Sequence, residues 1–318
     1  MKPKNCLIFG ASGQIGRHLI RKLTKNNYKV TAVTRNLHQK GYILKTQASA
    51  GWIECIEVNI FDEKKLRNLI SNADVCINMI GILYEKSNFS TFKTIHSDFP
   101  YLLSKICKEL NVKQFIQLSS LGIDKAKDSN YAKSKLEGEI NIKNNFSNSV
   151  ILRPSVVYSV DDSFTTTLMT LLSRMPFFPI YYNGNTKFMP IHVSDLTEII
   201  FQVIDKKINS MTIECVGDEI ITFKEILKKL LKLMDKKRII VPLPLFIARL
   251  SSKILQKLPK PIITEDQLRL LAYDNISSGD YKTNFDIGIP SKSIFCKEVE
   301  KYCFMWREAG QFSTKKYV

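Results

Sequence analysis

Cysteine and histidine are sparse in this sequence. There are 7 cysteines and 4 histidines in 318 residues, and no two cysteines form a CxxC pair. The cysteines are scattered and odd in number, at positions 6, 55, 76, 107, 215, 296 and 303. Structural zinc sites need clustered Cys and His ligands, and disulfide frameworks need an even set of cysteines. We therefore expect a reduced protein without a metal site.

Glycine, proline and long apolar runs are also limited. With 13 glycines, 11 prolines and neither low-complexity segments nor internal repeats, the chain lacks the marks of disordered, collagen-like or solenoid proteins. The longest apolar stretch, IIVPLPLFIARL from Ile239, contains two prolines and an arginine and is too short to cross a bilayer. The opening MKPKNCLIFG enters a strand pattern at once. We expect a globular chain with no transmembrane segment and no signal peptide.

Acidic residues are outnumbered, with 30 Asp and Glu against 47 Lys and Arg and a net charge of +17. Such an excess attracts polyanions, which include nucleic acids, anionic membranes and acidic protein surfaces. The sequence has no arginine-rich arm and no stripe of alternating basic and aromatic residues, so we expect no nucleic-acid partner. A membrane surface, a protein surface and a general compositional bias toward lysine all remain open.

Short apolar runs alternate with amphipathic segments from CLIFG to SVILRPSVVY, and the alternation resumes in FMPIHVSDLTEIIFQVI. This alternation is typical of βαβ units, which form a parallel sheet covered on both faces. We predict an α/β fold, a Rossmann-type doubly wound parallel sheet with a smaller, mostly helical C-terminal lobe. The nucleotide-binding domain is expected over 1–158, with 186–216 returning to it, and the lobe over 159–185 and 217–318. Helices of the lobe are expected near 221–233, 245–258 and 264–273.

The stretch CLIFGASGQIGRHLIRKL places Gly10, Gly13 and Gly16 between a strand pattern and a helix pattern. Gly10 permits the turn, Gly13 lets the backbone approach a pyrophosphate, and Gly16 lets the helix pack closely on the strand. The N-terminus of the helix offers N–H groups and the positive end of its dipole to phosphates. We predict a dinucleotide site formed by the glycines together with Ser12, Gln14 and Ile15.

The second strand ends in VTAVTRN, where an NAD site would place an acidic residue for the ribose 2′-hydroxyl. Thr34 and Arg35 stand there instead. A guanidinium matches a 2′-phosphate in charge and in bidentate geometry, so Arg35 favours NADPH over NADH. Arg35 stacking on adenine alone would leave both cofactors acceptable.

The segments QLSSLG and YAKSK supply Ser119, Ser120, Tyr131 and Lys135. Tyr131 and Lys135 lie four residues apart on one helix face, where the ammonium lowers the pKa of the phenol. Such a phenol exchanges a proton with a carbonyl or alcohol while Ser120, or Ser119 in its place, hydrogen-bonds the same oxygen. The other interpretation is that Tyr131 and Lys135 bind the cofactor ribose without turnover.

These motifs, with INMIGILYE, SKLEGE, ILRPSVVY, FMPIHVSDLTEII and LPKPIITEDQLRLLAYDN, resemble the atypical extended short-chain dehydrogenases that serve as nucleotide-binding accessory subunits of respiratory complex I. The resemblance implies a structural NADPH and other subunits of a membrane-bound respiratory complex as partners. It also implies a peripheral position on the cytoplasmic side of a bacterial inner membrane, or on the matrix side in a mitochondrion. In the superfamily's pattern, further cofactor contacts fall on Asn59, Ile60, Asn78, Gly81, Arg153 and Pro154.

Two features leave the function open between classes. Because Ser120, Tyr131 and Lys135 are all retained, the alternative is a soluble NADP-dependent reductase or epimerase/dehydratase acting on a small carbonyl or sugar. The segment LFIARLSSKILQKL places Ile247, Leu250, Ile254 and Leu258 on one helix face, with basic residues elsewhere. This basic amphipathic helix suits an interface or anionic headgroups, and an ordinary helix on the core shows the same periodicity. Asp195 in IHVSDLTE is expected to cap a helix.

Overall fold

A parallel β-sheet is the main element of the computed structural model, which describes residues 3–87, 89–256, 261, 263–308 and 310–312. The strands in chain order are β1 (Lys4–Phe9), β2 (Tyr28–Thr34), β3 (Ile53–Glu57), β4 (Val75–Asn78), β5 (Gln114–Leu118), β6 (Ser149–Pro154), β7 (Val157–Tyr158), β8 (Phe177–Ile180), β9 (Lys187–Phe188), β10 (Ile191–His192), β11 (Met211–Cys215), β12 (Ile221–Thr222), β13 (Ile239–Pro242) and β14 (Lys282–Thr283).

The helices are α1 (Gln14–Lys25), α2 (Leu37–Lys45), α3 (Glu63–Ser71), α4 (Phe99–Glu109), α5 (Asn130–Asn145), α6 (Thr165–Arg174), α7 (Val193–Asp205), α8 (Phe223–Met234), α9 (Leu245–Leu255), α10 (Glu265–Leu270) and α11 (Phe295–Cys303). A π-helical turn over Thr94–Asp98 leads directly into α4. Within the described ranges, no helix combines the length and the apolar character needed to cross a bilayer.

The strands of the large sheet run in the order β14-β11-β6-β5-β4-β1-β2-β3, and every pair in it is parallel. The order reverses between β1 and β4, which is the switch point where doubly wound sheets bind their ligands. All carboxyl ends of parallel strands meet at one edge, so the segments after β1, β2, β4, β5 and β6 share that edge. The predicted Rossmann-type doubly wound sheet is confirmed.

The central strands are buried on both sides, which explains their near-continuous apolar sequences. Every residue of β4, β5 and β6 is buried. One side of the sheet packs Phe9, Phe99 and Phe115 into a single apolar cluster, in which each aromatic side chain stabilises the fold by roughly 1.5–3 kcal/mol. Burial also raises the pKa of the Cys76 thiol, so this cysteine serves as a small apolar side chain.

The chain forms two compact units. The first comprises 1–154, 196–215 and 279–289, and the second comprises 155–195, 216–278 and 290–318. The large sheet belongs to the first unit. The domain boundaries predicted from the sequence, after 158 and after 216, lie within a few residues of two of these unit boundaries, after 154 and after 215. The predicted domain division as a whole stays a prediction.

The second unit has its own apolar core. It packs α6, α8 and α11 around Met169, Leu227, Leu230 and Val299, beside the short strand pairs β7–β10, β9–β12 and β8–β13. A capping box at Thr222 and Glu225 begins α8. The helices expected near 221–233 and 264–273 correspond to α8 and α10, and the one near 245–258 corresponds to α9. Its last two predicted positions, Lys257 and Leu258, lie outside the described residues.

Asp195 does not cap a helix as the sequence suggested. Because α7 begins at Val193, Asp195 lies inside its first turn. Its carboxylate accepts instead from the backbone N–H groups of Ser293 at 3.0 Å and Lys292 at 3.3 Å, which fixes the chain before α11.

Candidate nucleotide-binding site

The glycine-rich turn after β1 has no room for a side chain at Gly10 or at Gly16. Gly10 has a φ of +82°, and a Cβ there would lie 3.0 Å from the carbonyl carbon of Met79. A Cβ on Gly16 would lie 2.6 Å from the carbonyl oxygen of Gly10 and closer still to that of Ala11. The N–H of Gly13 donates to the carbonyl of Gly10 at 3.1 Å and closes the turn. The turn is therefore held tightly between the end of β4 and the start of α1.

The start of α1 is suited to an anion. Gly13 is its N-cap residue and makes no side-chain cap, and the first turn of the helix carries no acidic residue. The helix dipole and the backbone N–H groups therefore point toward the turn without a competing carboxylate in that first turn. Ser12, Gln14 and Ile15 are half-buried beside it.

Arg35 and Asn59 follow β2 and β3, which are neighbours in the sheet. The Arg35 side chain is exposed at the edge, and Thr34 before it is buried. Asn59 is exposed, and its Oδ1 accepts from the N–H of Phe61 at 3.1 Å, while Ile60 is buried. The guanidinium is thus accessible at the place where a 2′-phosphate would be expected.

Asn78 at the end of β4 is committed to internal hydrogen bonds. Its Nδ2 donates to Oε1 of Gln117 at 2.9 Å, and its Oδ1 accepts from the N–H of Ile80 at 3.2 Å. The side chain is fully buried. Asn78 therefore shapes the loop that follows β4, and Gln117, which the sequence analysis missed, holds it from β5.

The two serines after β5 differ in their surroundings. Ser119 is buried, and its N–H donates to the carbonyl of Leu152 at 2.7 Å. Its hydroxyl oxygen has no hydrogen-bond partner among the residues that the structure describes. A buried hydroxyl without a partner is unusual and fits an oxygen-rich ligand at this edge. Ser120 is half-buried next to it.

Tyr131 and Lys135 are brought together on α5 as predicted from their spacing. The Lys135 Nζ lies 5.9 Å from the centre of the Tyr131 ring and donates to the carbonyl of Leu118 at 3.3 Å. Burial lowers the pKa of Lys135 to about 8, and the nearby Glu139 carboxylate opposes this shift. A Cβ on Gly81 would lie 3.3 Å from the same Nζ, so the glycine leaves this space to the ammonium.

His96 and Ser134 also belong to this group of side chains, and the sequence analysis missed both. The Nε2 of His96 accepts from the N–H of Ile82 at 3.0 Å, and its Nδ1 lies 3.0 Å from the hydroxyl of Ser134. Both residues are buried. A lone histidine in an amphipathic segment carries no sequence signal that distinguishes it from a core residue.

Arg153 lies in a buried ion cluster. Its Nε and one terminal nitrogen donate to Glu139 at 2.9 and 2.8 Å, and the other terminal nitrogen donates to Asp124 at 3.2 Å. The Tyr281 ring covers the guanidinium at 4.4 Å. The carbonyl of the neighbouring Pro154 accepts from Leu121 at 3.0 Å. Every guanidinium nitrogen is thus occupied by a carboxylate, and a cofactor contact through Arg153 or Pro154 stays a prediction.

The parallel sheet with its 3-2-1-4-5-6 order, the tight glycine turn and the Tyr–Lys pair on α5 define an NAD(P)-binding Rossmann fold of the short-chain dehydrogenase type. The sequence pattern of the NAD dependent epimerase/dehydratase family matches residues 6–214. The chain belongs to this family.

Relatives extend over nearly the whole chain. The mitochondrial NADH-ubiquinone oxidoreductase 40 kDa subunit of Neurospora crassa is 26% identical over 290 residues, which are 90% of this chain and 76% of that protein. The mitochondrial NADH dehydrogenase [ubiquinone] 1 alpha subcomplex subunit 9 of Arabidopsis thaliana is 27% identical over 315 residues, covering 95% and 78%.

A solved structure shows the same fold. The UDP-glucuronic acid 4-epimerase from Bacillus cereus, in complex with UDP-glucuronic acid and NAD, superimposes with a TM-score of 0.71. It is 20% identical and covers 95% of this chain and 99% of its own.

Proposed function

We propose that this protein is a nucleotide-binding accessory subunit of respiratory complex I, with an NADPH bound for structural purposes in the first unit. The observation that carries the proposal is the similarity of 90% or more of the chain to subunits named for that complex in a fungus and a plant. We place it at the periphery of the complex, on the matrix side of a mitochondrial membrane or the cytoplasmic side of a bacterial one.

The residues of the site fit a dinucleotide. The turn from Gly10 to Gly16 and the start of α1 would hold the pyrophosphate through backbone N–H groups. Ser119, whose hydroxyl has no partner within the described part of the chain, and the Tyr131–Lys135 pair would hold the ribose and nicotinamide end. NADPH would supply a hydride donor at that end, and as a structural group its contribution is the binding free energy that it adds to the folded state.

The experiment that tests this function is affinity purification of the chain, tagged at its carboxyl terminus, from gently solubilised membranes of its native cell. We expect the core subunits of complex I to co-purify in stoichiometric amounts, and bound nucleotide to be released on denaturation. Recovery of the chain alone would overturn the proposal and would favour a reductase or epimerase that uses Ser120, Tyr131 and Lys135.

The preference for NADPH over NADH rests on Arg35. Replacing Arg35 by Asp is expected to weaken NADPH binding about 10- to 100-fold, because a charge-assisted hydrogen bond to the 2′-phosphate is lost. NADH binding should change little. Nucleotide fluorescence titrations of both cofactors check this, with Arg21→Asp on α1 as a control that makes the same change in net charge. If Arg35→Asp shows the same ratio of NADPH to NADH affinity as wild type, Arg35 does not set the cofactor preference and the assignment of NADPH is wrong.

NADPH affinity is expected to fall as the pH rises through about 8, because Lys135 has its pKa lowered to about 8. Below that pH the ammonium is charged and attracts ribose and phosphate oxygens. The pKa of Lys135 is about 8 in the folded protein and near 10.5 when the side chain is exposed. Between these two values the unfolded protein binds more protons, so the contribution of Lys135 to the free energy of unfolding increases with pH. A loss of affinity in this range is therefore not explained by unfolding through this group. Titrations between pH 6.5 and 9.5 check this, and Lys135→Met should bind more weakly with a flat profile in this range. A pH dependence that persists in Lys135→Met would assign it to another group.

We propose further that α9 is the part of the protein that contacts an anionic membrane surface. Several of its large apolar side chains are exposed among the residues that the structure describes: Leu250 is 63% exposed, Ile254 is 65% exposed and Phe246 is 72% exposed. Arg249 and Lys253 line the same surface. A helix that exposes large apolar and basic side chains together is suited to the boundary between headgroups and acyl chains.

Replacing Leu250 and Ile254 by Glu together is expected to lower binding to vesicles containing phosphatidylserine by at least about tenfold, through lost apolar burial and added repulsion. Vesicle flotation measures this binding. Tyr42→Glu together with Phe89→Glu is the matched control, because it makes the same change in net charge at two aromatic residues of the first unit that are 68% and 80% exposed. Equal flotation of all three proteins would leave a protein surface as the partner of α9.

A further inference from the structure

His96 occupies an unusual turn of the backbone. It lies in the π-helical turn Thr94–Asp98, and Pro100, four residues later, has no N–H to donate to its carbonyl. A Cβ on Gly138 would lie 3.0 Å from the carbonyl carbon of His96, so the π turn and α5 are in close backbone contact. Turns of this kind occur often at functional sites.

The hydrogen bonds of the His96 ring define its tautomer. The backbone N–H of Ile82 can only donate, so Nε2 accepts and carries no proton. The proton of the neutral ring therefore lies on Nδ1 and is donated to the Ser134 hydroxyl. That hydroxyl in turn donates to the carbonyl of Tyr131 at 2.8 Å. Burial, reinforced by the Lys135 charge, lowers the pKa of His96 to about 2, so the ring is neutral at every working pH.

The ring also fills the space beside the two residues of the candidate site. It stacks on Phe92 with centroids 5.5 Å apart and meets the Tyr131 ring edge-on at 5.2 Å. A Cβ on Gly81 would lie 3.3 Å from the Lys135 Nζ and 3.8 Å from the His96 Nε2, so both groups border the same space. The imidazole is therefore a wall of the space into which the ammonium points.

We infer that His96 is a positioning residue of the nucleotide site: it connects the loop after β4 to the first turn of α5 and so sets where Tyr131 and Lys135 meet the ribose. The inference rests on the proposed binding of NADPH. It gives His96 a role in binding that requires no turnover.

The test compares His96→Gln with wild type in NADPH fluorescence titrations across pH. Gln accepts from Ile82 but has no ring, so we expect the dissociation constant to rise about tenfold. We also expect the pH midpoint of binding to move upward, because water then reaches Lys135. The groups that face this ammonium are Glu139 on the same helix, the rings of Tyr131 and His96, and the Leu118 carbonyl.

Two further variants distinguish positioning from general stability. Ser134→Ala cuts the connection on the α5 side and should weaken NADPH binding about threefold, which keeps the inference testable where His96→Gln does not fold. Ile70→Val, in the core of the same unit, should lower the denaturation midpoint and leave both the affinity and the pH midpoint unchanged.

The inference would be overturned if His96→Gln kept the affinity and pH midpoint of wild type, or if Ser134→Ala kept the affinity. The proposed function would still stand in that case, provided that the wild-type protein binds NADPH. A wild-type protein that does not bind NADPH would overturn both together. The two failures therefore give different patterns.

Discussion

Replacing Arg153 by Met is expected to destabilise the protein by about 3–5 kcal/mol, the range for removing one partner of a buried ion pair. Arg153 is 1% exposed and Glu139 is 2% exposed, so the substitution leaves a carboxylate in the interior without the hydrogen bonds that it accepts from the guanidinium. Urea unfolding followed by circular dichroism measures the change in free energy.

A second substitution identifies the cause. Glu139→Leu in the Arg153→Met background removes the uncompensated charge, and we expect it to recover most of the lost stability. Recovery will be incomplete because Asp124 also loses its contact with Arg153. A single variant within about 1 kcal/mol of wild type, the usual value of an exposed pair, would mean that water reaches the cluster and compensates the carboxylate.

The same cluster shows where the sequence analysis reached its limit. Arg153 is the last residue but one of β6, and the superfamily's pattern gives it a cofactor contact, which stays a prediction. Its partner Glu139 precedes it by 14 positions and lies on α5, so their contact depends on how that helix packs beside β6. Side-chain pairing of this kind is a tertiary property that no pattern along the chain encodes.

The fold was predictable for the opposite reason. Alternating apolar strands and amphipathic helices are local patterns, and in a βαβ series they leave few possible topologies. The glycine turn was predictable as well, because the conformation of Gly10 and the close packing at Gly16 each require the absence of a side chain. Its prediction needed no knowledge of distant residues.

Periodicity and coverage are different properties, as α9 shows. The spacing of Ile247, Leu250 and Ile254 correctly indicated a helix with an apolar face. The spacing could not tell whether another element covers that face, and in the structure the buried positions are Ala248 and Ser252. Which side of a helix is buried depends on its neighbours, and these are set by the fold of the second unit.

Replacing Gly16 by Ala is expected to weaken NADPH binding by more than about 100-fold, an effect of roughly 3 kcal/mol. The new Cβ would lie 2.6 Å from the Gly10 carbonyl oxygen and even closer to that of Ala11. Both obstacles are backbone atoms, so α1 must move away from the turn, and its N-terminus would no longer point at the pyrophosphate. Overpacking of this kind also costs about 1–3 kcal/mol of stability.

Gly41→Ala in α2 is the matched control for Gly16→Ala, because its Cβ meets only the flexible Leu37 side chain, at 3.2 Å. We expect that variant to bind NADPH like wild type and to be slightly more stable, since Ala favours a helix more than Gly does. Titration of both proteins at one pH, with unfolding curves for each, separates lost affinity from lost folding. If Gly16→Ala folds and binds within about threefold of wild type, the phosphates do not lie at this turn, and the nucleotide must then be held through Ser119, Tyr131 and Lys135 at the other end of the site.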